Sequence, residues 1–392
     1  MNITITMTDT ITLSIPFGSY TVNDSRKFKP YFAPFNQYDT SERIRFLQEH
    51  RGLRKYLQNP QASYRDQGIV YPNLRIDERM RGMIYTCDLK VTFSCPKLIW
   101  GHSFEEVTDG HFSLIVEMLM KRLVDMGISV TEEAIKSAIV HTLHYCANIQ
   151  FPSEEDARMF LNRLSNTSLK AWFENNTKTF ANNGNAVRFH TDIFEIVFYL
   201  KYYDALEKGN RSVGRKTTLQ EKQTVKRLLK EGSIPPVVRM EIRFNGTRSV
   251  RNHLKTALGI ESRYWTFKDA YDSLKSRTTQ RYYWNQIIDD PLNNTYLSTV
   301  SDQDLCEKVL EKFPNETIKD ISESLGLFYI TKSLGVSRIK AITILRQNRK
   351  AWYDKRKKII SFSRRFIQQD ETLIKIVTSV LENKPLQLDL PI

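Results

Sequence analysis

The sequence is poor in cysteine and has no long apolar run. Only 4 of its 392 residues are cysteines, at positions 87, 95, 146 and 306, and none of them forms a CxxC pair or a zinc-finger spacing. We therefore expect reduced thiols rather than a disulfide framework or a structural zinc site. Hydrophobic residues make up 41% of the chain and charged residues 26%. That mixture is too apolar for a disordered chain and too often interrupted by charge for a membrane protein.

Two further signals are missing. The segment from Met1 to Phe17 has no Lys or Arg ahead of its apolar residues, and it alternates instead of forming an apolar run. No secretory signal peptide is predicted, so we expect a cytoplasmic protein without a membrane partner. The chain also has no Gly-x-x-x-x-Gly-Lys-Ser/Thr loop, so no P-loop ATP site is expected.

Acidic residues are in the minority. The chain has 58 Lys+Arg against 44 Asp+Glu, a net charge of +14. A surface with this excess attracts polyanions, and nucleic acid is the leading class of ligand. A basic protein without such a ligand is the alternative that charge alone leaves open. At roughly 100–200 residues per domain, the length predicts more than one domain.

The pattern of apolar residues changes about two thirds of the way along the chain. Up to about residue 250 it alternates between strand and helix periods, which predicts an α+β region on a largely antiparallel sheet. From 251 to 392 only helical periods remain, which predicts an all-α region. Strands are predicted at 3–15, 82–100, 140–151, 169–180, 186–203 and 237–244, and helices at 41–58, 109–126, 153–164 and 218–231.

Three predicted strands carry polar side chains on one face, because strand side chains alternate. The first such face holds His144, Cys146, Asn148 and Gln150, and it is either a solvated face or the floor of an active site. The other two faces hold Tyr199, Lys201 and Tyr203, and Arg239, Glu241 and Arg243.

Each of the last two faces has two interpretations. One carboxylate between two guanidiniums is either a cross-strand ion-pair ladder or a metal ligand flanked by phosphate-binding arginines. Tyrosine at strand spacing usually belongs to a core. It can also attack a phosphodiester where a cation favours the phenolate.

Four segments together resemble the gene II replication initiators of filamentous phages and their plasmid relatives, which nick and rejoin DNA during rolling-circle replication. The segments are DTITLSIPF at 9–17, SCPKLIWGH at 94–102, Tyr199-Leu200-Lys201 with Asp204, and VRMEIR at 238–243. They lie in the same order and at similar spacing as in that family. Residues 9–245 carry the resemblance, and the last third of the chain shows only a loose likeness.

The resemblance implies a mechanism of two transesterifications. Tyr199 would attack one phosphodiester of the origin and leave a free 3′-OH, which later attacks the tyrosyl phosphate and closes a circle. Lys201 would neutralise the phosphate or lower the pKa of Tyr199. Host helicase and polymerase would be the partners.

The resemblance also implies a divalent ion, Mg²⁺ or Mn²⁺, held by Glu241. The middle strand departs from the family pattern, which commonly has an Ile-Asp pair where this chain has Leu143-His144. His144 can replace a carboxylate as a ligand, and its nitrogen suits Mn²⁺ somewhat better than Mg²⁺.

Much of the surplus charge lies in residues 332–365 of the C-terminal region. Residues 321–345 are predicted helical, with a turn at 334–337 and a second helix at 338–349 capped by Ser337, which resembles a helix-turn-helix. Basic residues are dense from 332 to 365, where Asp354 is the one acid. The predicted DNA-contacting residues are Lys97, His102, Arg239 and Arg243 in the first region and Arg338, Lys340, Arg346 and Arg349 in the second.

Two other functions fit parts of the sequence. A non-enzymatic DNA-binding protein, such as a repressor, would use the helix-turn-helix alone. A metal-dependent nuclease would use water in place of Tyr199. Four aromatic residues among basic ones are candidates for stacking on unpaired bases, although such residues more often form core: Trp265, Tyr282, Tyr283 and Trp284.

Overall fold

The computed structural model describes residues 8–28, 54–58, 69–81, 84–167, 177–181, 184–204, 218–232, 234–289, 307, 311, 317–334, 336–366 and 372–382. Up to residue 166 the elements are β1 (Thr8–Ile15), β2 (Tyr20–Val22), β3 (Arg54–Gln58), β4 (Asn73–Arg81), β5 (Ile84–Ser94), α1 (Cys95–Trp100), α2 (Phe112–Asp125), β6 (Ile128–Val130), α3 (Glu132–Lys136), β7 (Ile139–Gln150) and α4 (Glu154–Asn166).

The second half of the chain returns to the sheet and then becomes helical. Its elements are β8 (Thr177–Ala181), β9 (Ala186–His190), β10 (Phe194–Leu200), α5 (Leu219–Glu231), β11 (Val237–Asn245), α6 (Thr247–Leu258), α7 (Phe267–Ala270), α8 (Ser273–Ile288), α9 (Ile318–Leu334), α10 (Val336–Arg346), α11 (Arg349–Phe366) and α12 (Thr372–Glu382).

Nine of the described strands form one sheet in the order β3-β4-β5-β1-β7-β11-β10-β9-β8. All pairings are antiparallel. β11 lies between β7 and β10. β2 and β6 form a separate pair. The prediction of an α+β fold on an antiparallel sheet is confirmed.

The two faces of the sheet differ in chemistry. One face is apolar, with Leu143, Phe198 and Phe244 fully buried, and the helices α4, α6, α8 and α12 pack against it. The other face is largely polar, because many of the residues that alternate with these side chains are charged or carry hydroxyl or amide groups. Strand alternation therefore places the candidate site residues on the side away from those helices.

The hydrophobic core continues past residue 250. Leu254 of α6, Tyr283 and Trp284 of α8, and Val377 of α12 belong to the same buried cluster as the strands. The indole N–H of Trp284 also donates to the hydroxyl of Thr378 in α12. Helices α9, α10 and α11 have a second small core of their own, made by Ile339, Trp352 and Ile359. The division of the chain at residue 250 stays a prediction.

Several local predictions were wrong. Residues 54–58, predicted as the end of a helix over 41–58, form strand β3, and residues 41–53 lie outside the described part. The strand predicted at 82–100 ends at Ser94, where Pro96 in the first turn starts α1. The strand predicted at 186–203 is two strands, β9 and β10, and residues 201–204 form a helical turn. Among the described helices, none is long and apolar enough to cross a bilayer.

Candidate active site

The register of three central strands brings the predicted residues together. In β10 and β11, Tyr199 lies opposite Arg239 and Val197 lies opposite Glu241. In β11 and β7, Glu241 lies opposite Cys146 and Arg243 opposite His144. Since partners across a sheet share a face, all of these side chains lie on the polar face.

Tyr199 and Glu241 are in direct contact. The Tyr199 hydroxyl donates to Glu241 Oε1 at 2.5 Å. Burial and the Glu241 carboxylate raise the pKa of Tyr199 well above its usual value, although the Arg239 guanidinium works in the opposite direction. The phenol is therefore held protonated, with a carboxylate placed to accept its proton.

Two guanidiniums hold the Glu241 carboxylate. Arg243 donates to Oε2 from Nε at 2.8 Å and from Nη2 at 2.6 Å, and Arg239 Nε lies 3.2 Å from Oε1. Burial on its own would raise the pKa of Glu241, but Arg243 and Arg239 outweigh it and hold the pKa well below its usual range. Glu241 is thus a fixed anion only 2% exposed.

Arg239 lies inside the cluster rather than at the surface. Its side chain is 1% exposed, and it donates from Nη1 to the Ser103 carbonyl oxygen at 3.0 Å and from Nη2 to Cys146 Sγ at 2.6 Å. A second carboxylate, Asp9, lies 3.5 Å from Nη2. In this arrangement Arg239 positions Glu241, whereas Arg243 is 25% exposed and lies nearer to solvent.

The ion-pair chain extends to the neighbouring strands. Arg243 Nη1 donates to Glu195 Oε2 at 3.2 Å, and Arg188 of β9 donates to the other oxygen of Glu195. Charges of opposite sign therefore alternate across β9, β10 and β11. This matches the ion-pair ladder that the sequence left open as one interpretation of the β11 face.

His144 shares the polar face but is held neutral. Burial and the nearby Arg243 guanidinium lower its pKa to about 4, although Glu241 and Asp9 act in the opposite direction. A neutral imidazole is the form that binds metals. His144 meets that one requirement of a ligand.

Glu241 and His144 do not fit a divalent ion in this arrangement. A carboxylate offers about four acceptor positions, and those of Glu241 face Tyr199, Arg239 and two nitrogens of Arg243. A cation at Glu241 would also lie beside two guanidiniums. In the described part of the chain, no group of three or more His, Cys, Asp or Glu side chains is placed to hold a metal. The Mg²⁺ or Mn²⁺ site stays a prediction.

Lys201 lies in the same cluster but not on a strand. It follows the last residue of β10, is 3% exposed, and donates from Nζ to Asn148 Oδ1 at 3.2 Å. Asn148 lies opposite Arg239 in β7. Tyr203 is directed elsewhere, because its hydroxyl donates to Glu154 of α4. The expectation that Tyr199, Lys201 and Tyr203 share one strand face was therefore wrong.

Lys97 and His102 lie beside the site rather than in it. Lys97 Nζ donates to Glu221 Oε2 at 2.9 Å, and Glu221 also accepts from the Ser103 N–H and hydroxyl. These bonds seat α5 on the segment after α1. Gly101 ends α1 with φ +74°, and a Cβ there would come within 2.8 Å of the Gln220 side chain. The positive φ is what favours glycine here, since the end of the Gln220 side chain can move.

Sequence reasoning missed two acidic residues of the cluster. Asp9 reaches the polar face because a β-bulge separates the β1 and β7 registers at Thr8 and Ile11, and bulges redirect side chains. Asp9 Oδ1 then accepts from the Ser94 hydroxyl at 3.0 Å. Its place at the start of the quoted 9–17 segment was the available signal.

The other missed residue is Glu106. Glu106 lies in a loop, where no sequence pattern marked it, and accepts from the Asn148 backbone N–H at 2.6 Å. Burial raises the pKa of Glu106 to about 7, against the effect of Arg239. A carboxyl group with a pKa near neutrality suits proton transfer.

Comparisons with known proteins bring no further assignment. No protein-family model, curated protein or solved structure matches this chain. The resemblance to the gene II initiators therefore stays a prediction that rests on the residues quoted for it.

The C-terminal predictions fall on α10 and α11. Helix α10 begins at Val336, so Ser337 and Arg338 lie within its first turn and Ser337 is not the cap. Lys340 is half-buried, and Arg346 and Arg349 are exposed. The side chain of Arg338 lies outside the described part. Of the four aromatic candidates for base stacking, Trp265, Tyr283 and Trp284 are core residues, at most 4% exposed, and Tyr282 packs against the same core.

Proposed function

We propose that this protein is a replication initiator that nicks one DNA strand through Tyr199 and later rejoins it. The observation that carries the proposal is the 2.5 Å hydrogen bond from the Tyr199 hydroxyl to a Glu241 carboxylate fixed by two arginines. A nucleophile bonded to a base that a third group orients is the arrangement expected of covalent catalysis. The resemblance in residues 9–245 supports the same assignment.

The first step is an exchange of phosphodiester bonds. The Tyr199 oxygen attacks a DNA phosphorus, a tyrosyl P–O bond forms, and the bond from phosphorus to the 3′ oxygen breaks. The phenol proton leaves along its hydrogen bond to Glu241 and passes to solvent as the new bond forms, because the two arginines hold Glu241 as an anion. The departing 3′ oxygen takes a proton from solvent. Because Arg243 is partly exposed, it can face the phosphate that enters.

The second step reverses the first. The 3′-OH attacks the tyrosyl phosphate and loses its proton to solvent, the DNA P–O bond forms again and the tyrosyl P–O bond breaks. The Tyr199 oxygen takes a proton from solvent and donates it again to Glu241. The bond energy is kept in the covalent link, so no ATP is required. Between the two steps the free 3′-OH would serve a host polymerase as primer, with a host helicase separating the strands in the cytoplasm.

The test is an adduct assay with a matched tyrosine control. The protein is incubated with labelled single-stranded or supercoiled origin DNA and Mg²⁺ or Mn²⁺, then run on a denaturing gel. Wild type and Tyr203→Phe should form a DNA adduct, because the Tyr203 hydroxyl bonds Glu154 away from the site. Tyr199→Phe should form none. An adduct in Tyr199→Phe would refute Tyr199 as nucleophile, and cleavage without any adduct would favour a nuclease that uses water.

A non-enzymatic DNA-binding protein is the second candidate, and one observation favours it. Both Glu241 oxygens are engaged by arginine and Arg239 is 1% exposed, as in a structural ion-pair ladder. Helix α11 would then carry the function through its exposed lysines. Tight, salt-sensitive DNA binding with no cleavage under the conditions above would establish this candidate over the first.

A further inference from the structure

A row of aromatic rings lies next to the candidate active site. The Trp100 and His102 rings stack with centroids 6.5 Å apart, and His102 and Phe104 follow at 5.7 Å. Phe104 and Tyr202 are nearly parallel, 4.6 Å apart at an angle of 5°. We call these four residues the ring row. The row joins the segment after α1 to the helical turn after β10.

Hydrogen bonds tie the ring row to the catalytic cluster. The Phe104 carbonyl oxygen accepts from Asn148 Nδ2 at 3.3 Å, and the same amide accepts from Lys201, the residue before Tyr202. The Ser103 carbonyl oxygen accepts from Arg239. Tyr202 follows Tyr199 by three positions, so their Cα atoms are within about 11 Å of each other.

The ring row remains available to a ligand. Each of its four side chains is half-buried, in contrast to the fully buried Tyr283 and Trp284. Within the described part of the chain, Tyr202 stacks on no ring other than Phe104. One face of the last ring in the row is therefore free of aromatic neighbours.

A basic helix, α5, is anchored at the beginning of the ring row. Glu221 seats α5 against Lys97 and Ser103, at the beginning of the row. The side of α5 turned away from Glu221 is exposed and carries Lys226, Arg227 and Lys230 against the one exposed acid Glu231. Glu105 is a further exposed acid and lies near Tyr202. Rings beside a basic helix match the two parts of a single-strand site, which stacks bases and neutralises phosphates.

We propose that the ring row is a binding site for unpaired bases of single-stranded DNA, with the base next to the scissile phosphate stacked on Tyr202. The placement of a scissile phosphate beside the ring row rests on the proposed function. The stacking of bases on the row is measured by DNA binding alone. Every base has a flat aromatic face, so the site takes single strands of any sequence. Origin specificity must then come from another part of the chain.

The test compares how tightly the protein binds DNA with bases and DNA that has only the sugar-phosphate backbone. Fluorescence anisotropy is measured in EDTA with a labelled 20-mer of thymidine and with an abasic oligomer of equal length and charge. We expect the wild type to bind the thymidine oligomer about tenfold more tightly. Equal affinity for the two oligomers would overturn the proposal, because phosphate contacts alone would then account for binding.

Matched variants locate the stacking. Tyr202→Leu should weaken binding of the thymidine oligomer about tenfold and leave the abasic oligomer unaffected, while Tyr202→Phe should bind as wild type. Tyr264→Leu is the control, since Tyr264 is 45% exposed with Arg263 over its ring. If Tyr202→Leu behaves like Tyr264→Leu, the ring row is packing only.

The outcome is separable from that of the adduct assay. Tyr199→Phe should keep the preference for the thymidine oligomer, because its ring is not part of the row. If no protein forms an adduct and the preference for the thymidine oligomer is intact, the nicking function alone is refuted. Adduct formation without the preference would refute the ring row alone.

Discussion

Glu241 is the carboxylate that pairs with two arginines on the polar face. It lies between Arg239 and Arg243, and the two arginines together hold more positive charge than it neutralises. Glu195 and Asp9 compensate at the two ends of the cluster. Removing a single member therefore leaves a buried charge without its partner.

Glu241→Ala should lower the free energy of unfolding by about 3 kcal/mol or more, because it leaves Arg239 unpaired in the interior. The measurement is urea denaturation. The control is Glu261→Ala. Glu261 forms an ion pair with Lys255, and its side chain is 82% exposed. That change should stay within about 0.5 kcal/mol. A similar small effect for Glu241→Ala would mean that the cluster contributes little to stability.

His144 should make the protein sensitive to mild acid. Its pKa is about 4 in the folded protein, below the ordinary value of about 6.5 for an unfolded chain. Between these values the unfolded chain binds a proton that the folded one does not. The stabilisation is therefore complete above about pH 6.5 and is lost as the pH falls towards 4.

The pH prediction is checked by stability profiles of three proteins. Each such histidine should lower the free energy of unfolding of the wild type by up to about 1.4 kcal/mol per pH unit between about pH 6.5 and 4.5. His253, whose pKa burial also lowers to about 4, contributes in the same direction. Glu106, whose pKa burial raises to about 7, acts in the opposite direction over the same range. His144→Gln and His253→Gln should each show a flatter profile. A His144→Gln profile parallel to wild type would contradict a neutral His144.

At the scale of single residues, strand alternation was enough to put Tyr199, His144 and Glu241 on one face. It failed for Lys201 and Tyr203, because the strand ends at Leu200 and alternation ends with it. It also failed for Asp9, which a bulge turns to the polar face. Alternation also put Arg239 and Arg243 beside Glu241. The contact of Glu241 with Tyr199 on the neighbouring strand could not be predicted, since it depends on a register that one sequence does not display.

At the scale of elements, α5 depends on one buried carboxylate. Glu221 is 3% exposed and accepts from Lys97, from Ser103 and from the backbone N–H of its own cap residue, Thr218. The helix and its capping box were predictable from the Thr-x-x-Glu pattern. The bonds to Lys97 and Ser103 were not, because those residues lie more than a hundred positions earlier in the chain.

Glu221→Ala should lower the free energy of unfolding by about 3 kcal/mol and speed hydrogen exchange in α5. Lys97 and the Ser103 N–H would lose their acceptor. The matched control is Glu231→Ala at the exposed end of the same helix, which we expect to stay within about 0.5 kcal/mol. Equal effects of the two changes would mean that Glu221 does not anchor α5.

At the scale of the whole molecule, the exposed positive charge and the candidate active site lie on different elements. The polar face of the sheet is close to neutral because its arginines are paired with carboxylates. The exposed basic residues concentrate instead on α11, including Lys350 and Lys357, and one of its lysines, Lys358, pairs with Glu323 of α9. The net charge of the sequence predicted a polyanion ligand but could not show this separation.

Helix α11 should bind DNA phosphates without sequence preference. Lys350→Ala with Lys357→Ala should weaken duplex binding uniformly across sequences and reduce the salt slope by about 0.9 for each phosphate that is no longer neutralised. Binding at several salt concentrations measures both effects. Lys268→Ala, an exposed lysine on α7, is the control and should change neither. An unchanged slope for the α11 variant would exclude this helix from the DNA interface.

The most direct test of the central claim is to find the residue that carries the DNA. Adduct formed on labelled origin DNA is digested with nuclease and protease, and the modified peptide is sequenced by mass spectrometry. We expect a nucleotide joined through phosphate to the oxygen of Tyr199. A nucleotide on any other residue, or nicked DNA with no modified peptide, would contradict Tyr199 as the nucleophile.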